Sequence, residues 1–364
     1  MKVPLTEIPV DAAMRQAAMR VLDSGRFVKG PENAAFEREF AAYLGVPHAM
    51  AVNSGTAALE LGLRALDLKP GQEVLLPSFS FIATAAPVLQ LGARPVFVDI
   101  DPETYNLDPK DARKKVTRRT AGILPVHLYG HPADLRPLQE LAKAKDLWIL
   151  EDACQAHGAE YHGRKVGTFG DVSAFSFYPS KNMTVLGDGG MVVTPRKDLA
   201  DRVRGLLDAG RKLGERYVHT AISGNYRLSE ILAAIGRVQL TFLPGWVERR
   251  RQIAAVYTEA LSDVKGMSPP TERPSCRHSF YCYTVRTRRR DALAGHLESQ
   301  GVASATYYPL PIHRQPALPA AYRRAKLLQT DRACREALSL PIFPRLTEET
   351  ARKVAGMVAG FLRR

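Results

Sequence analysis

The chain has 364 residues, 45% hydrophobic and 24% charged, ordinary values for a soluble globular protein with room for one large domain and a smaller one. No apolar run reaches the roughly 20 residues of a membrane span, and the first residues lack the apolar stretch of a secretory signal, so a cytoplasmic location without membrane contact is expected. Fifty-one Lys and Arg against 37 Asp and Glu give a net charge of +14. That excess suits an anionic substrate or coenzyme as well as nucleic acid, and no basic tail or RNA-binding signature points to nucleic acid.

In chain order, short apolar runs at 49–52, 73–77, 95–98, 122–126, 147–150, 172–177 and 191–194 read as buried parallel strands. Helix-like stretches lie between them. Over 56–66, Leu59, Gly62, Leu63 and Leu66 share one face, and 137–145 opens on a proline tolerated in a first turn. This alternation predicts an α/β fold, a mostly parallel seven-stranded sheet with helices on both faces. Near Leu243-Pro244-Gly245-Trp246 the character changes to a long helix over 247–261, a strand over 281–285, a helix over 290–300 and a proline-rich stretch. The expected division is a large domain over 1–245 and a small α+β domain over 246–364. The four cysteines form no CxxC pair, and neither a disulfide framework nor a metal site is expected.

Four segments at the ends of the expected strands carry candidate chemistry, because open α/β sheets hold ligands there. Asn53-Ser54-Gly55-Thr56-Ala57-Ala58 opens a helix with small residues, which suits either an anion on free N–H groups or a simple Ser cap. Glu151-Asp152-Ala153-Cys154-Gln155 places two carboxylates after an apolar strand; buried, Asp152 would need a partner such as a protonated heterocyclic nitrogen, although helix caps and surface ion pairs are the commoner use. Lys181, in Ser176-Phe177-Tyr178-Pro179-Ser180-Lys181-Asn182, is either a loop lysine or an amine whose pKa desolvation lowers until it can attack a carbonyl. Gly187-Asp188-Gly189-Gly190 is a turn where positive φ values are expected.

Together, in order and at these spacings, these segments resemble the DegT/DnrJ/StrS family of pyridoxal-phosphate sugar aminotransferases, with the fold-type-I architecture. The likeness spans nearly the whole chain. It runs from Gly25-Arg26-Phe27-Val28-Lys29-Gly30-Pro31 through Pro77-Ser78-Phe79-Ser80-Phe81-Ile82-Ala83-Thr84 and Pro125-Val126-His127-Leu128-Tyr129-Gly130 to Asn225-Tyr226-Arg227 and Tyr308-Pro309-Leu310-Pro311-Ile312-His313.

The resemblance implies pyridoxal 5′-phosphate as coenzyme. Lys181 would form its Schiff base and shuttle the proton between the substrate α-carbon and coenzyme C4′. Asp152 would pair with the pyridinium nitrogen, Gln155 would bond the phenolic oxygen, and Phe81 would stack on the ring. Gly55, Thr56, Ala57 and Ser176 would hold the phosphate. Asn225, with Arg227, would reach the coenzyme of a neighbouring subunit, which implies a homodimer with shared sites. Tyr178, Arg227 and His313 are candidates for substrate contact.

The lysine loop and Gly-Asp-Gly-Gly look like members that aminate C3 of a nucleotide-linked keto sugar; C4 members more often carry a histidine in that loop and Gly-Glu-Gly-Gly after it. L-Glutamate is the implied donor. Isoleucine at 312 replaces an expected leucine, and 211–223 matches nothing assignable. Two rivals stand beside the transaminase. A sugar dehydratase on this scaffold would carry histidine in place of Lys181, and a non-catalytic regulator would need no electron sink or proton shuttle.

Overall fold

The computed structural model describes residues 2–212 and 214–363; Leu213, in the unassigned 211–223 stretch, lies outside them. The N-terminal helices are α1 (Ala12–Ser24), α2 (Pro31–Leu44) and α3 (Gly55–Ala65). Proline at the first position of α2 and left-handed glycines after α1 and α2 set their bounds.

The sheet has seven strands: β1 (His48–Val52), β2 (Glu73–Pro77), β3 (Arg94–Val98), β4 (Thr120–Ile123), β5 (Trp148–Asp152), β6 (Val172–Ser176) and β7 (Gly190–Thr194). Their order is β1-β7-β6-β5-β4-β2-β3. All run parallel except β7, which is antiparallel to both neighbours. The apolar run at 191–194 therefore belongs to the sheet, but not as a parallel strand. Because β7 starts where the others end, residues 187–190 return to the same edge as the turns after β1, β5 and β6.

Apolar faces on both sides of the sheet explain why its strands read as continuous hydrophobic runs. Val172 and Ala174 of β6 face a core shared with α3, whereas Phe175 faces the opposite core together with Phe177. There Phe36 and Phe40 of α2 pack against Phe175 and Phe177 with ring centroids 5.2–5.5 Å apart. Burying each ring contributes roughly 1.5–3 kcal/mol and anchors the backbone that leads to Lys181.

The helix expected over 247–261 is longer than its sequence suggested. It runs unbroken over Glu230–Leu261 with Pro244 inside. A proline removes one helical hydrogen bond, but Leu240, Leu243 and Val247 are buried on both sides of it and hold the helix in place. Beyond it, Met267–Ser268, Tyr283–Thr287 and Ala337–Leu340 form a small antiparallel sheet under helix Glu348–Leu362. No helix is long and apolar enough to cross a membrane among the described residues.

Candidate active site

A cavity of about 500 Å³ opens at the C-terminal ends of the parallel strands. Gly55, Thr56, Phe81, Asp152, Gln155, Ser176, Tyr178 and Lys181 all line it. Eight of the expected residues, scattered over the chain, thus meet in one place.

The floor is the start of α3. Ser54 caps that helix, its Oγ accepting the Ala57 N–H at 3.0 Å. The N–H groups of Gly55 and Thr56 occupy the first two helical positions, where no intrahelical acceptor exists, and both residues line the cavity. The cap and anion readings of this segment therefore coexist. Gly55 admits no side chain: a Cβ would lie 2.6 Å from Ser176 Cβ and 2.9 Å from Cys154 Sγ. Ala57 is buried off the cavity wall and its N–H is already committed to Ser54.

Asp152, the last residue of β5, is 4% exposed. Its Oδ2 accepts the Thr84 hydroxyl at 2.9 Å and its Oδ1 the Cys154 N–H at 3.2 Å. Gln155 Oε1 accepts the Tyr129 N–H at 2.9 Å, which assigns Nε2 as the donor facing the Tyr308 hydroxyl oxygen, also at 2.9 Å. Phe81, 55% exposed, presents its ring at the mouth, 6.1 Å from that of Tyr308.

Lys181 is the one lysine among the lining residues, its Nζ 4.4 Å from the centroid of Tyr281. Burial presses its pKa down, but Tyr281, Cys154, Cys282 and Asp152 press it up and prevail, so it stands above the ordinary lysine value. The desolvation expected to depress the amine is outweighed, first by Tyr281, then by the two thiols and Asp152. Burial, then Asp152, lifts the Cys154 thiol well above its ordinary pKa, so Cys154 is a neutral wall residue.

The glycine turn behaves differently from its expectation. Gly187, Gly189 and Gly190 do not have positive φ. Gly189 and Gly190 are needed for close approach instead: a Cβ on Gly189 would lie 2.7 Å from Val185 Cγ2, and one on Gly190 2.5 Å from the Ser54 carbonyl oxygen and 2.7 Å from that of Phe175.

Besides Ala57, three expected residues stand away from the cavity. His313 is wholly buried, its Nδ1 2.7 Å from Ser78 Oγ and its N–H donating to that same oxygen at 3.0 Å. It staples the turn at 311–313 to the end of β2 and does not line the cavity. Asn225 is exposed, and Arg227 pairs with Asp208 beside Lys29 and Arg211. Conversely, Ser80, Thr84, Tyr281, Tyr307 and Tyr308 line the cavity without having been assigned a role. Ser80, Thr84 and Tyr308 had a sequence signal only through their place in the stretches at 77–84 and 308–313, Tyr281 only as the start of an expected strand, and Tyr307 had none.

These donors fit pyridoxal phosphate: free helix N-terminal N–H groups for a phosphate, a buried carboxylate for a ring nitrogen, an amide N–H for a phenolic oxygen and an amine for the aldehyde. The comparisons agree. The DegT/DnrJ/EryC1/StrS aminotransferase family matches residues 10–359. The dTDP-3-amino-3,4,6-trideoxy-alpha-D-glucose transaminase of Streptomyces venezuelae is 45% identical over 94% of this chain and 90% of its own. A "pleiotropic regulatory protein" of Geobacillus stearothermophilus is 40% identical over 100% of this chain and 99% of its own. The structure of S. venezuelae DesV in complex with a ketimine intermediate superposes with a TM-score of 0.95 at 42% identity, covering 100% of this chain and 99% of that one. With eight family-motif residues gathered in one cavity and the match extending over almost the whole length, the chain belongs to the DegT/DnrJ/EryC1/StrS aminotransferase family, and its coenzyme is pyridoxal 5′-phosphate.

Proposed function

We infer that this protein transfers an amino group from L-glutamate to the C3 keto group of a nucleotide-linked sugar. The observation that carries the reading is the convergence of Lys181, Asp152 and Gln155 on the cavity that begins at the N-terminus of α3. When bound, pyridoxal phosphate supplies an electron sink for the carbanion formed at the carbon that bears nitrogen. The chain's own residues do the rest. Gly55, Thr56 and Ser176 hold the phosphate, Phe81 flanks the ring, and Gln155 Nε2 donates to the phenolic oxygen. Asp152 keeps the ring nitrogen protonated. Lys181 Nζ takes the proton from the amino-donor carbon and returns it on the acceptor side, with Tyr281 beside it. Tyr178, half-exposed at the mouth, is the substrate-facing aromatic.

The C3 assignment draws on the lysine loop with Gly-Asp-Gly-Gly and on the name of the Streptomyces transaminase. The excess of positive charge suits a nucleoside diphosphate. Asn225 is exposed and Arg227 half-buried, both outside their own cavity; Asp208 pairs Arg227 with Lys29, which follows the exposed Phe27 and Val28, and Ile222, three residues before Asn225, is exposed as well. That placement supports a homodimer in which this surface completes the partner's site. We assign residues 1–245 to coenzyme binding and 246–364 to a smaller α+β domain, with the helix Glu230–Leu261 running from one into the other, in a cytoplasmic enzyme.

The test is the absorption spectrum of the purified protein with pyridoxal phosphate. A yellow band that bleaches on L-glutamate and returns on a nucleotide-linked 3-keto sugar is expected. A band indifferent to every donor would favour a second reading, a coenzyme-binding regulator, to which the name of the Geobacillus relative lends weight.

A further inference from the structure

We propose that Ser80 and Thr84 form a directional hydroxyl relay that positions Asp152 toward the coenzyme ring nitrogen; the proposal rests on the coenzyme reading above. The direction follows from proton counting. A carboxylate only accepts, so the Thr84 hydroxyl must spend its single proton on Asp152 Oδ2, at 2.9 Å. In its 2.8 Å contact with Ser80 Oγ, Thr84 is then the acceptor and Ser80 the donor. Neither hydroxyl can reverse without breaking the contact to Asp152.

Burial gives the relay its force. Ser80, Thr84 and Asp152 are 3%, 1% and 4% exposed, so little water competes for these groups. Among the described residues, the other N–H or O–H donor on the carboxylate is the more distant Cys154 N–H, at 3.2 Å, with the Cys154 thiol beside it. Removing the Thr84 donor would leave Asp152 held mainly by that one bond and free to turn.

The relay also joins two walls of the site. Thr84 ends the short helix Ile82–Thr84, which Phe81 precedes, and the Thr84 N–H donates to the Phe81 carbonyl at 3.0 Å. One turn thus presents the aromatic ring to the cavity and ties down the carboxylate that faces the ring nitrogen. Thr84 and Ser80 are positioning residues, acting on the coenzyme only through Asp152.

The experiment compares binding of pyridoxal phosphate and its 1-deaza analogue, in which carbon replaces the ring nitrogen, to the full-length apoprotein. Wild type should prefer pyridoxal phosphate. Thr84→Val, close in shape but without a donor, should lose about tenfold or more in affinity for pyridoxal phosphate, the usual worth of a hydrogen bond to a charged group, and less than about twofold for the analogue. Thr84→Ser, which keeps the donor, should stay within about threefold of wild type, and Ser80→Ala should show a smaller loss with the same ligand dependence.

A merely structural role would weaken both ligands alike, and that result overturns the relay, as does no loss with either. Should Thr84→Val fail to fold, Thr84→Ser and Ser80→Ala decide by the same ligand comparison. Wild type that binds both ligands equally overturns the pairing of Asp152 with the ring nitrogen, and the relay with it. A wild-type preference for pyridoxal phosphate that the variants keep undiminished overturns the relay and leaves the coenzyme reading intact.

Discussion

His127 Nε2 donates to Glu151 Oε2 at 3.0 Å, and neither side chain has any exposed surface. The tautomer is fixed, because His127 Nδ1 accepts the Ala133 N–H at 2.9 Å. Glu151 also takes the N–H groups of Gly167, Phe169 and Gly170 at 2.7–2.8 Å and the Ser173 hydroxyl at 3.2 Å. Successive strand residues face opposite sides, so the clamp on Glu151 fixes the register of Asp152, whose backbone is bonded to Pro125 and His127.

Replacing Glu151 with glutamine puts an N–H₂ among five donors and strands some of them. Thermal unfolding should show a loss of about 3–5 kcal/mol, the cost of breaking a buried charged cluster. Burial presses the Glu151 carboxyl up, but the hydrogen bond from His127 and the N–H groups of Gly167 and Gly170 press it down and win, leaving it below its ordinary value. Its stabilisation is therefore complete above the unfolded-state value and lost as pH falls through the lowered folded-state value. Wild type should keep this contribution at neutral pH and lose it as pH falls below the ordinary carboxylate range. An unchanged melting temperature in Glu151→Gln at neutral pH would refute the clamp.

At Gly55 the expected outcome is a selective loss of coenzyme affinity. A methyl group there would meet Ser176 Cβ at 2.6 Å and Cys154 Sγ at 2.9 Å, distances that force the helix start away from β6. Gly55→Ala should cost about 1–3 kcal/mol in stability and weaken pyridoxal phosphate by more than the fold loses. Equilibrium dialysis beside calorimetry separates the two, and wild-type affinity would show that the helix start does not carry the phosphate.

The sheet was readable because strands covered on both faces are apolar throughout, and all seven appear near their expected places. What sequence could not give was the direction of β7, since an antiparallel strand buried on both faces has the same apolar pattern as a parallel one. Pro244 misled for a related reason: local chemistry says stop, and only the packing of Leu243 and Val247 says continue. In the site, residues whose chemistry is rare in a core stood out, such as Asp152 and Lys181. Ser80, Thr84 and Tyr281 did not, because a hydroxyl in a turn has many uses and its partner is fixed only by tertiary contact. His313 stood out by motif, yet its Nδ1 is taken by Ser78 and the residue does not line the cavity.

Lys181→Ala should abolish amino transfer, by at least about a thousandfold, because the cavity wall offers no other amine to move the proton. Stopped-flow absorbance with L-glutamate reads the donor half-reaction directly. Lys181→Arg should fail as well, since a guanidinium is always charged and cannot accept a proton. A fully active alanine variant would sink the assignment.

Gln155→Ala removes both the acceptor of the Tyr129 N–H and the donor toward the cavity. Tyr129 sits at φ 59, a left-handed conformation uncommon for a bulky side chain, so its N–H loses a partner where the backbone has little room to adapt. The variant should lose about 1–3 kcal/mol of stability. Its bound-coenzyme band should also shift, because the phenolic oxygen loses a donor. A shifted band with unchanged melting would assign Gln155 to the coenzyme alone; neither change would remove it from the site.

Whether Asn225 serves its own subunit or its neighbour is decided by mixing two inactive variants. Take Lys181→Ala and Asn225→Asp, the latter placing a carboxylate where a phosphate would dock. If Asn225 reaches the partner's coenzyme, one of the two sites in each mixed dimer combines an intact Lys181 with an intact Asn225. Random exchange of equal amounts should then restore about a quarter of wild-type activity, half the dimers being mixed and half their sites whole. If Asn225 serves its own cavity, every site lacks one residue and nothing returns. The exposed position of Asn225, outside the cavity that holds Lys181, favours the first outcome. An Asn225→Asp variant active on its own would remove the residue from the phosphate site altogether.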